Sequence, residues 1–382
     1  MSFLGYARYA GRIFMKRRAD PHYIVLFVTD VCNARCGHCL LGAVRPATRE
    51  LTVDEYEKTS RSMGRILFLL PTGGEPFLRD DLSEIVRIFS VNNKVVNVGI
   101  PTNGSLTVRV VDQVRRMLAE NPGVDLAIDV SIDALGEEHD RLRAIPGLFE
   151  KCLWTLRELK KLEKEHRNLN VNICTTMSAF NQEKAMETTT VMRREHGVRN
   201  VNNLIARKGA RSESALGVDA GLYEAWVNRL REETETDLLN GYHDYPGADV
   251  INAMKNIRQE MITRIVRGEK GYQVPCYAAN LAGVVYAGGD VYPCEILEEP
   301  LGNLREANYD FRKIWFSRRT EEVRRKIRET KCYCTYECFL TNNILFTPKM
   351  LPKVALEYGR FKARRALARA RGAKRGGSPP EP

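Results

Sequence analysis

No apolar run among the 382 residues approaches the roughly 18 that a bilayer-spanning helix needs, and 28% of the chain is charged. A helical membrane span is therefore excluded. Residues 1–20 carry Arg8, Arg12, Lys16, Arg17 and Arg18 without the apolar stretch and small-residue cleavage site of a secretory signal. Gly (28) and Pro (16) stay near ordinary globular usage, which excludes collagen-like and low-complexity chains. Internal repeats are absent. The body of the chain also lacks net charge. Five basic residues against Asp20 in 1–20, and nine against Glu357 and Glu381 in 351–382, account for the whole formal charge of +11. The basicity belongs to the two ends and says nothing of a central pocket.

What is present is ten cysteines in a chain without an export signal. That combination points to a reducing, cytoplasmic setting where grouped cysteines serve metals or catalysis. From residue 23, β-prone runs at Tyr23–Thr29, Ile66–Leu70, Val95–Ile100, Asp125–Ser131, Val171–Thr176 and Val198–Ile205 alternate with helical patterns. Those patterns lie near 53–63, 80–90, 107–120, 148–165 and 181–196. Such alternation predicts an α/β fold of parallel strands with crossover helices. Six units predict a partial (β/α)6 TIM-like barrel over 21–210, with chemistry at the C-terminal ends of its strands. Residues 211–268 read as a helical connector, 269–345 as a small Cys-rich module, and 346–382 as a basic tail with a frayed end.

Cys32, Cys36 and Cys39 follow the first strand with C-x3-C-x2-C spacing. Three thiolates on one loop can cap three irons of a [4Fe–4S] cube and leave the fourth open to a ligand. A zinc knuckle with a distant fourth ligand and a set of buried structural cysteines are the alternatives. The loop resembles the cluster motif of the radical S-adenosylmethionine (SAM) superfamily. Three further segments at expected strand ends extend the resemblance. Gly73-Gly74-Glu75-Pro76 is similar to the family's G-G-E-P turn and Thr102-Asn103-Gly104 to its T-N-G. Ser131-Ile132-Asp133 with His139-Asp140-Arg141-Leu142-Arg143 is similar to its S-x-D and H-D-x-x-R segment. The resemblance implies SAM contacts at Gly73, Gly74, Glu75, Asn103, Ser131, Asp133 and Arg143, with Ser131 and Arg143 on the SAM carboxylate. It also implies reductive cleavage of SAM to a 5′-deoxyadenosyl radical that abstracts hydrogen from a substrate. The family often has an aromatic residue before the third cysteine; here it is His38.

Cys276 and Cys294 form C-x12-G-x4-C around a hairpin pattern with Gly288-Gly289-Asp290 at its turn, and Cys332, Cys334 and Cys338 follow. This arrangement resembles the SPASM/twitch extension of radical SAM enzymes. Five thiols imply one auxiliary [4Fe–4S] cluster, with Cys276 and Cys294 first as ligands, then Cys338, then Cys332 or Cys334. A four-Cys structural zinc is the alternative. Cys152 and Cys174 read as core residues.

The N-terminal segment 1–20 and the stretch 354–371 combine aromatic and basic residues, which suits either an anionic membrane surface or helices packed on the barrel. No nucleic-acid module is apparent. The resemblance implies a flavodoxin- or ferredoxin-like electron donor. About twenty residues precede the first strand, which favours a small molecule, carbohydrate or lipid-linked substrate, oxidised or rearranged. A peptide maturase is the second expectation, and a non-catalytic metal-bound scaffold for anionic partners is the third. The sequence identifies no acid or base for a substrate proton.

Overall fold

Ile24 to Val28 are five consecutive apolar residues, mostly branched or aromatic, and all are buried. A run apolar on both faces suits a central parallel strand covered by helices. In the computed structural model, which describes residues 19–40, 49–241, 247–269 and 271–374, this run is the core of β1 (Tyr23–Thr29). Five more parallel strands follow: β2 (Phe68–Gly73), β3 (Asn97–Thr102), β4 (Asp125–Ser131), β5 (Leu169–Met177) and β6 (Val201–Ile205). The crossovers carry α1 (Val53–Ser62), α2 (Leu82–Asn93), α3 (Thr107–Glu120), α4 (Gly136–Arg143), α5 (Leu148–Glu165) and α6 (Ala185–His196). The partial barrel expected from the alternation is present as an open sheet. Three expected strands begin too early. Ile66, Val95 and Val198 are buried lead-in residues of the preceding turns, apolar for packing and not for pairing.

The region after β6 holds α7 (Ala220–Glu235) and α8 (Ala248–Val266), then β7 (Ala282–Val285), β8 (Asp290–Tyr292) and β9 (Gly302–Asn303). The Cys-rich module is not set apart from the barrel. Strand β7 pairs parallel with β1, Tyr23 opposite Ala282, and the antiparallel hairpin β7–β8 with β9 extends one sheet to nine strands in the order 6-5-4-3-2-1-7-8-9. A bidentate pair fastens the same region from outside. Arg305 Nε and Nη2 lie 2.7 and 3.0 Å from the two oxygens of Glu55, which also closes the Thr52 capping box of α1.

Further helices complete the chain: α9 (Phe311–Trp315), α10 (Arg318–Glu329) and α11 (Glu337–Leu345), followed by the 24-residue α12 (Leu351–Lys374). The open edge of β6 is sealed by side chains. Lys255 Nζ of α8 donates to the Val201 carbonyl at 2.8 Å, and Glu337 Oε1 of α11 accepts from the Ile205 N–H at 3.0 Å. An unpaired edge is thereby covered without another strand. The basic stretch expected as a tail is helix through Lys374. Phe361 is 1% exposed, and Lys353, Lys362, Arg364, Arg365 and Arg369 pair with Glu260, Asp249, Glu235 and Asp237. Much of the C-terminal charge therefore faces carboxylates of the protein itself. The N-terminal aromatic and basic residues up to Arg18 lie outside the described residues. No described helix is long and apolar enough to cross a membrane.

Truncating Phe361 to Ala should lower unfolding free energy by about 3–5 kcal/mol, the usual scale for a buried Phe. Urea denaturation of the variant, with iron content unchanged before the transition, checks that α12 is structural.

Candidate active site

The loop that leaves β1 carries Cys32, Cys36 and Cys39, and neighbouring strand ends grip it. Gly74 and Glu75 donate backbone N–H groups to the carbonyls of Thr29 and Val31, both at 2.9 Å. A Cβ on Gly73 would stand 2.1 Å from the Thr29 oxygen, and one on Gly74 would stand 1.9 Å from the Val31 oxygen. Only glycine allows that approach, and Gly73 also has φ +140°. The two glycines expected at a SAM contact thus first seat the cysteine loop. From β3, Asn103 Nδ2 reaches Asn33 Oδ1 at 2.7 Å, and Asn33 in turn reaches Ser105 Oγ at 2.8 Å. From α4, the Arg143 carbonyl accepts from Arg35 N at 3.1 Å. Beyond β6, the N–H groups of Arg211 and Ser212 close on the Cys39 and Gly37 carbonyls at 2.9 and 2.8 Å. Segments that follow β2, β3, β4 and β6 converge on one short loop.

Beneath the loop lies a buried charge pair. Arg143 Nε and Nη2 are 2.8 and 2.7 Å from Asp133 Oδ2, leaving Nη1 outside the pair. Asp133 Oδ1 accepts from Thr176 N at 2.9 Å, and His38 Nε2 lies 3.5 Å from Oδ2. Burial would raise the Asp133 pKa, but Arg143, with His38 and His139, holds it below the usual range. Burial pushes the Cys36 thiol up to about 11, and the same guanidinium opposes the rise. Cys32 is also raised, mainly by burial, and it interacts electrostatically with Cys39. His139, lowered to about 4 by burial and then by Arg143, takes the Asp133 N–H on Nδ1 at 3.2 Å. The resemblance assigns Arg143 to a SAM carboxylate; the structure commits most of it to Asp133 and stands it beside Cys36.

Glu75 is likewise engaged. Its carboxylate accepts from Asn103 N (2.6 Å), Thr102 Oγ1 (2.8 Å) and Phe77 N (3.3 Å), and burial raises its pKa to about 7. Ser131 ends β4 half-buried, opposite Cys174 in register. Cys152 is buried in α5 and its thiol donates to the Asn103 carbonyl at 3.1 Å, a packing role as expected.

The second group surrounds a cavity of about 70 Å³ with an otherwise mostly apolar wall. Cys276, Cys294, Cys332 and Cys334 all line it. Cys276 donates to Cys332, which raises the first thiol and lowers the second. Burial pushes Cys294 up to about 12 and Cys334 up to about 11. Cys338, expected ahead of Cys332 and Cys334, is not on that wall. It is the second residue of α11, and it hydrogen-bonds Tyr23. The helix start turns it toward the barrel. Among the described residues no three His, Cys, Asp or Glu side chains converge as one metal ion requires. A four-iron cube asks instead for thiolates spread over separate irons.

Sequence reasoning passed over two polar groups. Asp129 on β4 accepts from Asn172 on β5 and Asn202 on β6 at 2.8 and 2.9 Å. Arg207, two residues past β6, stands between Glu295 and Glu337. Its place at a strand end is the signal that marked the other motifs.

Comparison with known proteins agrees with this geometry. The model of the Radical SAM superfamily matches residues 26–190, and that of the SPASM iron-sulfur cluster-binding domain matches 276–339. The AdoMet-dependent heme synthase of Methanosarcina barkeri (strain Fusaro / DSM 804) is 27% identical over 329 residues, 81% of this chain and 85% of that protein. The solved structure "Native anSMEcpe with bound AdoMet" superposes with TM-score 0.56 at 16% identity, covering 91% of this chain and 100% of that one. Streptococcus suis SuiB bound to precursor peptide SuiA gives TM-score 0.54 at 14% identity, covering 84% and 70%. At those identities both show likeness of fold.

Replacing Arg143 by Met strands the Asp133 carboxylate. The variant should lose about 3–5 kcal/mol of stability, the cost of an uncompensated buried charge, together with iron at the first cysteine group. Gly74→Ala should lose that iron too. Iron analysis and urea denaturation, against an Arg143→Lys control, check both.

Proposed function

Because this chain is a radical SAM superfamily enzyme with a C-terminal SPASM iron–sulfur domain, we propose that it cleaves SAM reductively and abstracts hydrogen from a small, non-peptide substrate. The observation that supports the substrate class is similarity across 81% of the chain to a relative named for AdoMet-dependent heme synthesis. The peptide-bound neighbour, at 14% identity, lends the peptide alternative a shared fold and nothing more.

Cys32, Cys36 and Cys39 would hold the SAM-binding [4Fe–4S] cluster. The donor set fits, with three thiols on one braced loop and a buried guanidinium that favours thiolate at Cys36. With SAM bound, such a cluster supplies the one-electron chemistry that generates a hydrogen-abstracting radical. Gly73 and Gly74 keep the loop seated, Glu75 ties it to Asn103, and Asp133 fixes the orientation of Arg143. Arg143 Nη1 and the half-buried Ser131 are the groups that would meet the SAM carboxylate. Cys276, Cys294, Cys332 and Cys334 would hold one auxiliary [4Fe–4S] cluster, since four thiols on one cavity wall make a complete donor set. Cys338 then falls outside the ligand set. A flavodoxin- or ferredoxin-like protein would deliver the electron.

Anaerobic reconstitution with iron and sulfide, followed by reductant and SAM, tests this reading through 5′-deoxyadenosine. Cys32, Cys36 and Cys39 replaced together by Ala should abolish it and remove about half the iron. Replacing Cys276 and Cys294 should spare 5′-deoxyadenosine while stopping product formation. A triple variant that still cleaves SAM would refute the first cluster assignment. Consumption of a porphyrin probe, compared with a peptide probe, tests the substrate class.

A further inference from the structure

Arg207 is a buried cation whose partners leave it incompletely satisfied. Its side chain is 12% exposed, and Nη1 stands 3.6 Å from Glu337 Oε2 and 3.9 Å from Glu295 Oε2. Both distances are beyond an ordinary hydrogen bond. Neither Arg207 Nη1 nor Glu337 Oε2 has a hydrogen-bond partner, and both atoms are sealed from solvent. Glu337 spends its other oxygen on the Ile205 N–H of the sheet edge, so it cannot swing to close the gap. The guanidinium carbon lies 4.5 Å from the centroid of the Tyr336 ring. Tyr336 in turn lines the four-cysteine cavity and points its backbone N–H at Cys334 Sγ, 3.5 Å away. Tyr336 therefore touches both the cation and the cavity. Its charge acts on Cys334 and Cys338 in the same direction, favouring thiolate, while Glu337 opposes it at both.

We propose that Arg207 sets the reduction potential of the auxiliary cluster, with Glu337 as the opposing charge. The proposal rests on the reading that Cys276, Cys294, Cys332 and Cys334 hold that cluster. Reduction adds one negative charge to the cavity. In surroundings of low dielectric, a nearby guanidinium stabilises the reduced form more than the oxidised one and so raises the potential. The carboxylate of Glu337 does the reverse. Arg207 touches no reacting atom; it is a positioning residue for charge. Its location at the end of the last barrel strand makes the barrel itself part of the auxiliary site's electrostatics.

The test is an EPR-monitored potentiometric titration of the reconstituted full chain at about pH 8.5. Iron counts on the parent and on the Cys276/Cys294 double variant come first. A parent without a second reducible cluster would overturn the ligand reading and this proposal with it. With that cluster present, Arg207→Met should raise its oxidised-to-reduced ratio at fixed potential about tenfold, a downward shift of about 59 mV for one electron. Glu337→Gln should move the ratio the opposite way, and Arg207→Lys should stay close to the parent. An unchanged potential in Arg207→Met with the cluster retained would overturn this proposal alone. So would shifts of the same sign in Arg207→Met and Glu337→Gln, the mark of a loosened fold. If Arg207→Met loses its cluster, Glu337→Gln decides: an upward shift in potential supports the proposal, and none overturns it.

Discussion

The Asp133–Arg143 pair, buried at the end of β4, is the interaction on which the arrangement of the barrel mouth depends. One residue, Asp133, joins four parts of the chain: its carboxylate meets Arg143 at the end of α4, His38 in the cysteine loop and Thr176 near the end of β5, and its backbone carbonyl accepts from Asn181. Two ions hidden from water are tolerated only when geometry and hydrogen bonds compensate their desolvation. Here they do, and the pair converts a desolvation cost into a fixed charge beside Cys36. Polar groups elsewhere at the mouth follow the same logic on a smaller scale. Glu75 collects three donors, one of them the Asn103 N–H, and the Asn103–Asn33–Ser105 chain continues from that residue to the cysteine loop. The mouth is a lattice in which motifs distant in sequence share hydrogen bonds.

That lattice explains what the sequence could and could not reveal. The first cysteine loop and the three later motifs were legible because each combines small or polar residues with a strand end, a pattern that packing alone does not favour. The order of the strands was legible from alternation. Three of the strand starts were not, since Ile66, Val95 and Val198 are apolar for burial in lead-in segments that do not pair as strands. The partners of individual side chains were also hidden. Nothing in the spacing of Asp133 and Arg143 says that they bind each other before they bind anything else. Cys338 is a similar case: C-x-C-x3-C on paper treats its three thiols alike, but α11 begins between the second and the third, and the first two are the ones on the cavity wall.

The basic C-terminal stretch left two readings open, and the packed helix is the one present. Charge and aromatic residues in a line are ambiguous between a surface and a packed helix until the opposing face is known. Here the opposing face is α7, the residues just after it and α8, which carry the matching carboxylates far away in sequence. The same two-sidedness governs the seal of β6, where Lys255 and Glu337 are charged residue types used as hydrogen-bond plugs for a bare strand edge.

The pairing of β7 with β1 has an evolutionary consequence. Strand β1 is apolar on both faces, and without β7 it would present an unprotected ladder edge to every neighbouring molecule. The auxiliary module is thus not an accessory that a lineage could shed by a late stop codon. Its loss would leave β1, the end strand of the six barrel strands, as a bare apolar border. Any descendant that dispensed with the second cysteine group would have to keep the hairpin or evolve a replacement cover first.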